Sequence, residues 1–506
     1  MRQFNKNILT LFALALTTGS FAQLPLVDEV LENPENEPLP VHPVPHPRQI
    51  KWMRTEFYAF YHYGMDTFTG LEWGNGDEDE STYAPLQKPN PYQWLKAAKS
   101  AGMRAGIAVV KHHDGFCLWP TATTSHSIAN DKVPANGKVN IALQFAKAAR
   151  KLKMKYGFYV SPWDRNSALY GTDKYVTDVF LKQCSELAAY GNDQYEMWFD
   201  GANGGSGWYG GQGGTKSVDR EAYYDVPNLR DTVHAVNHDC VLWGVGGEAR
   251  WIGNEAGWAG ETNWCTDNRM DGRDQTNAAT GTEDGWMWLP GESDWKGTTG
   301  GWFYKDTEKP RSAERLFQAY LETVGRNSTF ILNLPPGKTG SLPEATVNRM
   351  KELGQMLKAR LGNNLAAVRG VKVTASEVRQ AGKHRKYTPS NIVDGSLDTY
   401  WAAGDGTTTG WVMLELPKIR NVHYVMLQEH INLGQRVRNF KIETSTDGIN
   451  WTAFGGNVPT TTIGYKRIIP QSGSTKEYGA GVEAKFVRIN ITDSKACPTL
   501  ENVALY

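Results

Sequence analysis

Polar and charged side chains repeatedly follow short apolar runs in the first two thirds of this chain. The run Met-Trp-Phe ends in Asp200, with Gly201 directly after it, and the run Ala-Val-Val-Lys is followed by His112, His113 and Asp114. A carboxylate at the end of an apolar strand is typical of a functional group aimed at the edge of a sheet. A helix cap or a tight turn before Gly201 is the alternative explanation for Asp200.

The adjacent imidazoles of His112 and His113 could bind a metal ion, a buried structural partner or a ligand rich in hydroxyl groups. Consecutive side chains at a strand end point in different directions, so the two rings are poorly placed to share one ion. The chain has no His-Glu-x-x-His pattern and no Gly-x-Ser-x-Gly elbow of a serine hydrolase. We therefore expect no metal here, and hydrogen bonding to a sugar or to the protein instead, because neutral imidazole offers one donor and one acceptor.

A second carboxylate is available downstream of Asp200, in a segment rich in Gly and Trp. Glycoside hydrolysis needs two carboxyl groups, one ionised and one held protonated until it protonates the leaving oxygen. The candidates for the second group are Glu248, Glu255 and Glu261. Spacing alone leaves the choice among these three open.

Alternating strand-like and helix-like runs in residues 49–362 must position these groups. The predicted strands are Phe57–His62, Ala105–Lys111, Tyr156–Ser161, Glu196–Asp200, Val241–Val245, Glu261–Cys265 and Phe330–Leu334. Asn90 and Pro91 begin a helical run that ends near Gly102, and two further amphipathic runs follow the next strands. The repeated βα units predict an α/β fold, a (β/α)8-like barrel, rather than an open sheet with a dinucleotide-binding glycine motif.

Residues 363–506 have a different sequence pattern, in which short runs of alternating apolar and polar residues are separated by Gly, Asn and Asp turns. Helical periodicity is nearly absent there. This pattern predicts an independent all-β sandwich domain.

Composition narrows the classes of function. The chain of 506 residues has 54 basic and 54 acidic side chains, so no general attraction to nucleic acid is expected. The 18 Trp and 22 Tyr suit the apolar faces of sugar rings or an aromatic core. Five Cys, an odd number without a Cys-x-x-Cys pair, argue against a disulfide framework or a structural zinc site.

Residues 1–22 have the pattern of a signal peptide, with two basic residues, a short apolar run and a small-residue cleavage site. No run reaches the roughly 20 apolar residues of a membrane-spanning helix. We expect an exported, periplasmic or extracellular protein that is not held in the membrane after cleavage. Residues 23–48, rich in Pro and Glu, are expected to form an extended lead-in to the barrel.

Six segments spread in order over residues 57–336 resemble a known family, the α-L-fucosidases of the retaining glycoside hydrolases. They are FYAFYHYGMDTFTGLEWGNGDE, KHHDGFCLWPTATTSHS, YGFYVSPWDRN, EMWFDGA, RWIGNEAG and GWFY with SAERLFQAYLETVGRNSTFILNLPP. The segments EWGNG, SPWDR and RWIGNE are similar to the subgroup that prefers α-1,3- and α-1,4-linked fucose on branched glycans.

The resemblance implies release of terminal fucose from fucosylated glycans by a retaining double displacement. It implies that Asp200 is the nucleophile and Glu255 the general acid/base. The residues implied to hold the fucose are His62, Glu72, Trp73, His112 and His113, with Tyr159, Trp163 and Trp302 as further wall residues. Asp66 departs from the family pattern, which has Asn there, and this departure bears on leaving-group specificity.

The tail resembles the discoidin-like domain, the type C domain of coagulation factors 5 and 8, through segments such as YTPSNIVDGSLDTYWAAGDG and LQEHINLGQRVRNFKI. The resemblance implies a sandwich of the galactose-binding-like kind. Some such domains bind a structural calcium ion, to which Asp394 and Asp398 could contribute, although an Asp-Gly turn explains Asp394 equally well. No other cofactor is expected.

Two alternative functions remain at this point. One is hydrolysis of a fucose-like sugar such as an α-L-galactoside, which differs at C5. The other is non-catalytic carbohydrate binding by a chain that kept the fold.

Overall fold

The computed structural model describes residues 37–268 and 277–506 of the chain. The predicted signal peptide and residues 23–36 of the lead-in lie outside these ranges. Within them, no helix is both long and apolar enough to cross a bilayer. All five cysteines are buried free thiols.

Eight parallel strands form the first domain. They are β1 (Phe57–Tyr61), β2 (Ala105–Lys111), β3 (Lys155–Val160), β4 (Gln194–Phe199), β5 (Val241–Gly244), β6 (Arg250–Trp251), β7 (Gly291–Lys296) and β8 (Ser328–Asn333). The spatial order is β5-β4-β3-β2-β1-β8-β7-β6. A single parallel bridge between Trp243 and Ala249 connects the two ends of this sheet. The predicted (β/α)8-like barrel is confirmed.

Helices cover the outside of the barrel. The longer ones are α1 (Pro47–Met53), α2 (Pro91–Ser100), α3 (Ile141–Leu152), α4 (Leu181–Ala188, continuing from a π-helical turn at Val176–Phe180), α5 (Val226–His234), α6 (Ala313–Thr323) and α7 (Glu344–Leu361). The predicted start of α2 is confirmed, because the Asn90 side chain accepts a hydrogen bond from Gln93 N at 3.1 Å. Each of β1 to β4 is followed by one of these helices, so the strand ends collect at one face.

The strand predicted at Glu261–Cys265 is wrong. That segment is irregular, because Asn263 accepts a hydrogen bond from Arg250 at 2.5 Å and donates one to the carbonyl of Arg326 at 2.8 Å. The barrel uses β6 and β7 instead. The sequence pattern overlooked β7 because four of its six residues are polar or charged, although five of the six are buried.

Hydrogen bonds explain why a polar strand can lie inside the barrel. Glu292 of β7 accepts bonds from Tyr58 at 2.5 Å and from Trp198 Nε1 at 2.7 Å. Asp294 accepts a bond from Trp251 Nε1 at 2.8 Å. Buried polar groups with such partners avoid most of the cost of losing water.

The second domain is all-β with antiparallel sheets, as predicted. The five-stranded sheet has the order Lys372–Ala375, Gly410–Val422, Val482–Ser494, Val437–Ser445, Thr452–Ala453, and the three-stranded sheet has the order Arg467–Pro470, Tyr424–Gln428, Asn502–Leu505. Alternate residues of the long strands face a common apolar core.

The described end of the lead-in contacts the β-domain. Glu37 accepts hydrogen bonds from Lys386 at 2.7 Å and from the Tyr400 hydroxyl at 3.1 Å. The amide of Val41 donates to the carbonyl of Leu433 at 2.8 Å. Residues 37–46 form no helix or strand and run from these contacts to the start of α1 at Pro47.

Candidate active site

A pocket of 430 Å³ opens where the barrel strands end. Nine of the ten site residues named from the sequence line it: Asp200, Glu255, His62, Trp73, His112, His113, Tyr159, Trp163 and Trp302. The exception is Glu72, which lies behind Trp302 and accepts a hydrogen bond from its backbone amide at 2.7 Å. The fold therefore brings together side chains from six different strands and the segments that follow them.

Asp200 follows β4 directly and is exposed to the pocket. The Tyr159 hydroxyl donates to its Oδ2 at 3.4 Å. Burial, and then the nearby Asp200 charge, raise the pKa of Tyr159 well above its usual value, so the phenol stays protonated as a donor. Gly201 has a φ of 71°, and a Cβ there would lie 2.5 Å from the His113 ring. The Asp-Gly pair is thus needed for the backbone to turn beside the pocket.

Among the three candidate glutamates, Glu255 alone lines the pocket. It follows β6 and accepts a hydrogen bond from Trp302 Nε1 at 3.1 Å, and Lys296 Nζ lies 3.6 Å from its Oε2. Glu248 is fully buried against Arg48 at 2.9 Å, and burial raises its pKa. Glu261 pairs with Arg326 at 3.2 Å. Tertiary structure thus separates three carboxylates that spacing could not.

Two pocket histidines are neutral with assignable protons. The Asn333 amide donates to the carbonyl of Trp302 at 2.7 Å, so its oxygen faces His62 Nδ1 at 2.9 Å and accepts from it. The Ser161 hydroxyl donates to the carbonyl of Trp163 at 2.6 Å, so it accepts from His113 Nδ1 at 2.7 Å. Burial lowers the pKa of both rings well below its ordinary value. Each neutral ring therefore keeps Nε2 as a hydrogen-bond acceptor.

The third imidazole of the pocket, His112, faces a carboxylate. Its buried Nδ1 makes no hydrogen bond within the described ranges and lies 3.7 Å from Asp66 Oδ2. Asp66 is fully buried and already accepts bonds from Gly74 N at 3.0 Å and from the Thr69 hydroxyl at 3.1 Å. Burial, and next the Asp66 charge, raise the pKa of Asp114 well above its usual value. A carboxylate, not an amide or hydroxyl, therefore lies behind this third imidazole.

Asp66, His112 and Asp114 are the one group of potential metal ligands that the described ranges contain. Their ligand atoms lie within 4.8 Å of one another. His113 is not a member of the group, as the divergent directions of adjacent side chains predict.

Aromatic rings form the walls of the pocket. The Trp163 ring lies 5.8 Å from Trp73 in an edge-to-face arrangement and 5.0 Å from His113. The His62 and Trp302 rings have centroids 5.0 Å apart on another wall. Trp73 keeps 57% of its surface exposed, so this ring has a free face. Such faces suit the apolar side of a sugar.

The sequence analysis missed several lining residues. Phe60 and Trp198 form part of the pocket, together with Asn203, Ser206, Arg220 and Asp294. Asp294 lies in the overlooked β7, and burial raises its pKa well above its usual value. Recognition of the alternating Glu-Ser-Asp run as a strand would have placed its carboxyl at the barrel mouth.

The calcium prediction for the β-domain gains no support from side-chain geometry. Asp394 accepts hydrogen bonds from Ser396 N and from the Thr399 hydroxyl, both at 2.7 Å, within its own turn. The described ranges bring no third acidic or histidine side chain together with Asp394 and Asp398.

Comparison with known proteins gives two family matches. The sequence model for "Alpha-L-fucosidase" matches residues 48–361, and that for "F5/8 type C domain" matches residues 372–501. Alpha-L-fucosidase 1 of Arabidopsis thaliana is 30% identical, over 98% of this chain and 94% of the relative. Putative alpha-L-fucosidase 1 of Oryza sativa subsp. japonica is 32% identical, over 92% and 86%.

Solved structures of similar proteins share the fold. A putative alpha-L-fucosidase from Bacteroides thetaiotaomicron aligns with a TM-score of 0.80 and 31% identity, over 92% of this chain and 98% of that one. A GH29 fucosidase of Ruminococcus gnavus in complex with fucose aligns with a TM-score of 0.80 and 30% identity, over 95% and 98%. The chain therefore belongs to the alpha-L-fucosidase family of glycoside hydrolases and carries a C-terminal F5/8 type C domain.

Proposed function

We propose that this alpha-L-fucosidase is exported and removes terminal α-1,3- and α-1,4-linked fucose from glycans with retention of configuration. Asp200 is the nucleophile and Glu255 is the general acid/base. The observation that carries the proposal is that these two carboxylates line one pocket, whereas Glu248 and Glu261 are held in ion pairs elsewhere.

The first step forms a bond between Asp200 and the anomeric carbon while Glu255 gives its proton to the departing oxygen. In the second step Glu255 takes a proton from water, and the water oxygen replaces Asp200 on the sugar. The surroundings of Asp200 support this chemistry, because the Tyr159 hydroxyl donates to Oδ2 at 3.4 Å and the Gly201 amide donates to Oδ1 at 2.6 Å, and the two bonds orient the carboxylate at the pocket.

The sugar is held by groups of complementary hydrogen-bonding character. His62 and His113 each present an acceptor nitrogen, so they fit hydroxyl groups that donate. Trp73, Trp163 and Trp302 cover apolar faces of the ring. A fucose complex is described for the Ruminococcus gnavus relative, which supports the same sugar here.

Linkage preference follows from the resemblance of the loops at the mouth. Glu255 is 47% exposed and lies beside Trp302, where the leaving sugar would sit. Export follows from the leader-like residues 1–22. N-terminal sequencing of the protein from fractionated cells tests the proposed export.

Removal of the nucleophile tests the mechanism. Asp200→Gly should lower kcat on an aryl fucoside by roughly three to five orders of magnitude, because the covalent route is lost. Added azide should then restore part of the turnover and give a fucosyl azide of inverted configuration. Near-wild-type activity of this variant, or an azide product of retained configuration, would show that another residue attacks the sugar.

A substrate panel tests the linkage. A Lewis-type trisaccharide, 2-fucosylated lactose, an aryl fucoside and an aryl α-L-galactoside would be compared at equal concentrations. We expect release from the trisaccharide and no release from 2-fucosylated lactose. Faster cleavage of the galactoside than of the fucoside would contradict the assigned sugar. No release from any substrate would support the alternative function, non-catalytic carbohydrate binding.

A further inference from the structure

A second cavity lies on the outer helical layer of the barrel. This groove has a volume of 540 Å³ and runs between the first turn of α2 and the exposed side of α3. It shares no lining residue with the pocket of Asp200. Four of its lining residues are exposed lysines: Lys88, Lys138, Lys147 and Lys151.

Positive charge is concentrated around the groove. Residues 81–160 contain twelve lysines and arginines, two aspartates and no glutamate, although the whole chain has equal numbers of basic and acidic residues. Lys138 lies 3.7 Å from Asp131. No carboxylate of the described chain lies within 4.0 Å of the Lys88, Lys147 or Lys151 ammonium groups. Three cations that share one concavity without counter-charges favour an anionic ligand.

The groove also contains an aromatic surface. Tyr92 is 37% exposed, and Lys151 Nζ lies 5.0 Å from the centroid of its ring. An exposed ring beside an ammonium group can pack against a sugar while the cation contacts a charged substituent of that sugar. A small anion would use the lysines alone, whereas a charged saccharide uses both features.

We propose that this groove is a binding site for an anionic polysaccharide, held through its sulfate or carboxylate groups. Helices α2 and α3 follow β1 and β2, so their first turns lie on the side of the barrel where the strands end. A polymer bound there is retained on the face at which the catalytic pocket opens. Retention raises the effective concentration of its branches at that pocket, and only this consequence rests on the proposed function.

Binding measurements on the full-length mature protein test the site without turnover. The probes are dextran sulfate, polygalacturonate and neutral dextran, in affinity electrophoresis at two salt concentrations. We expect the wild-type protein to bind at least one charged polymer and not neutral dextran. Binding of dextran sulfate alone assigns sulfate as the recognised group, and binding of polygalacturonate alone assigns carboxylate.

A matched pair of triple variants locates the site. Lys88→Gln/Lys147→Gln/Lys151→Gln should weaken binding by about tenfold or more, because it removes three charge-assisted contacts at exposed sites. Lys358→Gln/Lys418→Gln/Lys441→Gln removes three exposed lysines from other surfaces and should leave binding unchanged. Hydrolysis of an aryl fucoside by the first triple variant should stay at the wild-type level.

Three results would overturn the proposal. The first is no binding of either charged polymer, and the second is equal weakening in both triple variants. The third is equal affinity for duplex DNA, which would show general attraction to polyanions and not recognition of a saccharide. Each of these results is independent of whether Asp200 and Glu255 have the roles assigned above.

Discussion

At the scale of single residues, the three pocket histidines differ in the atom that lies behind each ring. An amide oxygen faces His62, a hydroxyl faces His113 and a carboxylate faces His112. The partner decides which ring nitrogen carries the proton, and therefore whether the ring presents a donor or an acceptor to the pocket. The side chain behind each ring thus sets the hydrogen-bonding pattern of the pocket wall.

Asp66 should act as a positioning residue for His112. Asp66→Leu removes the carboxylate that faces the buried Nδ1, so we expect KM for an aryl fucoside to rise about tenfold, the equivalent of roughly 1.4 kcal/mol. Asp66→Asn keeps an acceptor of the same shape and should stay near the wild-type KM. Thr69→Val is the control, because it removes another partner of Asp66 and keeps the carboxylate. An unchanged KM in the Leu variant would contradict this role.

Loss of Glu255 should lower activity more for substrates with poor leaving groups than for substrates with good ones. Glu255→Ala should lower kcat/KM on a natural disaccharide by about a hundredfold or more, and far less on an activated aryl fucoside, since the good leaving group needs no proton. Glu261→Ala is the matched control, because this carboxylate pairs with Arg326 outside the pocket. Equal losses on both substrates would mean that Glu255 is not the acid.

At the scale of elements, a buried ion pair joins the end of β2 to the loop after β3. Lys111 Nζ lies 2.7 Å from Asp164 Oδ2, with both side chains almost fully buried. Asp164 also accepts hydrogen bonds from the amides of Asn166 and Ser167 at 3.1 and 2.8 Å. The pair connects the backbone just before His112 to the loop that carries Trp163, so it fixes two walls of the pocket.

Loss of one partner of this pair should destabilise the barrel strongly. Lys111→Met leaves Asp164 buried without its counter-charge, and we expect the free energy of unfolding to fall by about 3–5 kcal/mol. The double variant Lys111→Met/Asp164→Leu should recover part of that loss, because no lone charge remains. Urea unfolding followed by fluorescence measures both. A double variant less stable than the single one would show that hydrogen bonds of Asp164, not its charge, dominate.

At the scale of the whole molecule, titratable groups lie where the domains meet. In the β-domain, Glu501 Oε2 and His430 Nδ1 share a hydrogen bond of 2.9 Å. Arg54 of the barrel lies 3.8 Å from the same Glu501 oxygen. Burial raises the pKa of Glu501 to about 8 and lowers that of His430 to about 3. The pair is therefore uncharged at neutral pH.

The raised pKa of Glu501 should make the free energy of unfolding fall as the pH rises. The folded chain holds a proton that the unfolded chain releases above a pKa of 4.5, so this contribution is complete below that pH and is lost as the pH rises through about 8. His430, with its lowered pKa, contributes the opposite slope below its ordinary pKa of 6.5, so Glu501→Gln should flatten the pH dependence of unfolding between about pH 6.5 and 8. Glu352→Gln, at an exposed site, should not. An unchanged slope in Glu501→Gln would contradict the raised pKa.

The sequence by itself determined the barrel, the β-domain and nine of the residues that line the pocket. Apolar runs that end in polar groups mark strand ends, and those ends must converge in a closed parallel sheet. His62, His112, His113 and Asp200 could be named on this basis, with the family resemblance supplying Glu255 and the tryptophans. The same rule failed for β7, whose polar residues carry no apolar signal.

The family resemblance named Glu255, but only the tertiary structure gave the physical reason for that choice and showed which atom lies behind each imidazole. Glu248, Glu255 and Glu261 are equivalent in sequence spacing, but Arg48 and Arg326 pair with two of them from distant parts of the chain. The groups that face the histidines likewise come from other parts of the barrel. Hydrogen bonds and ion pairs over such separations depend on how the strands close around the pocket, and no local pattern encodes that closure.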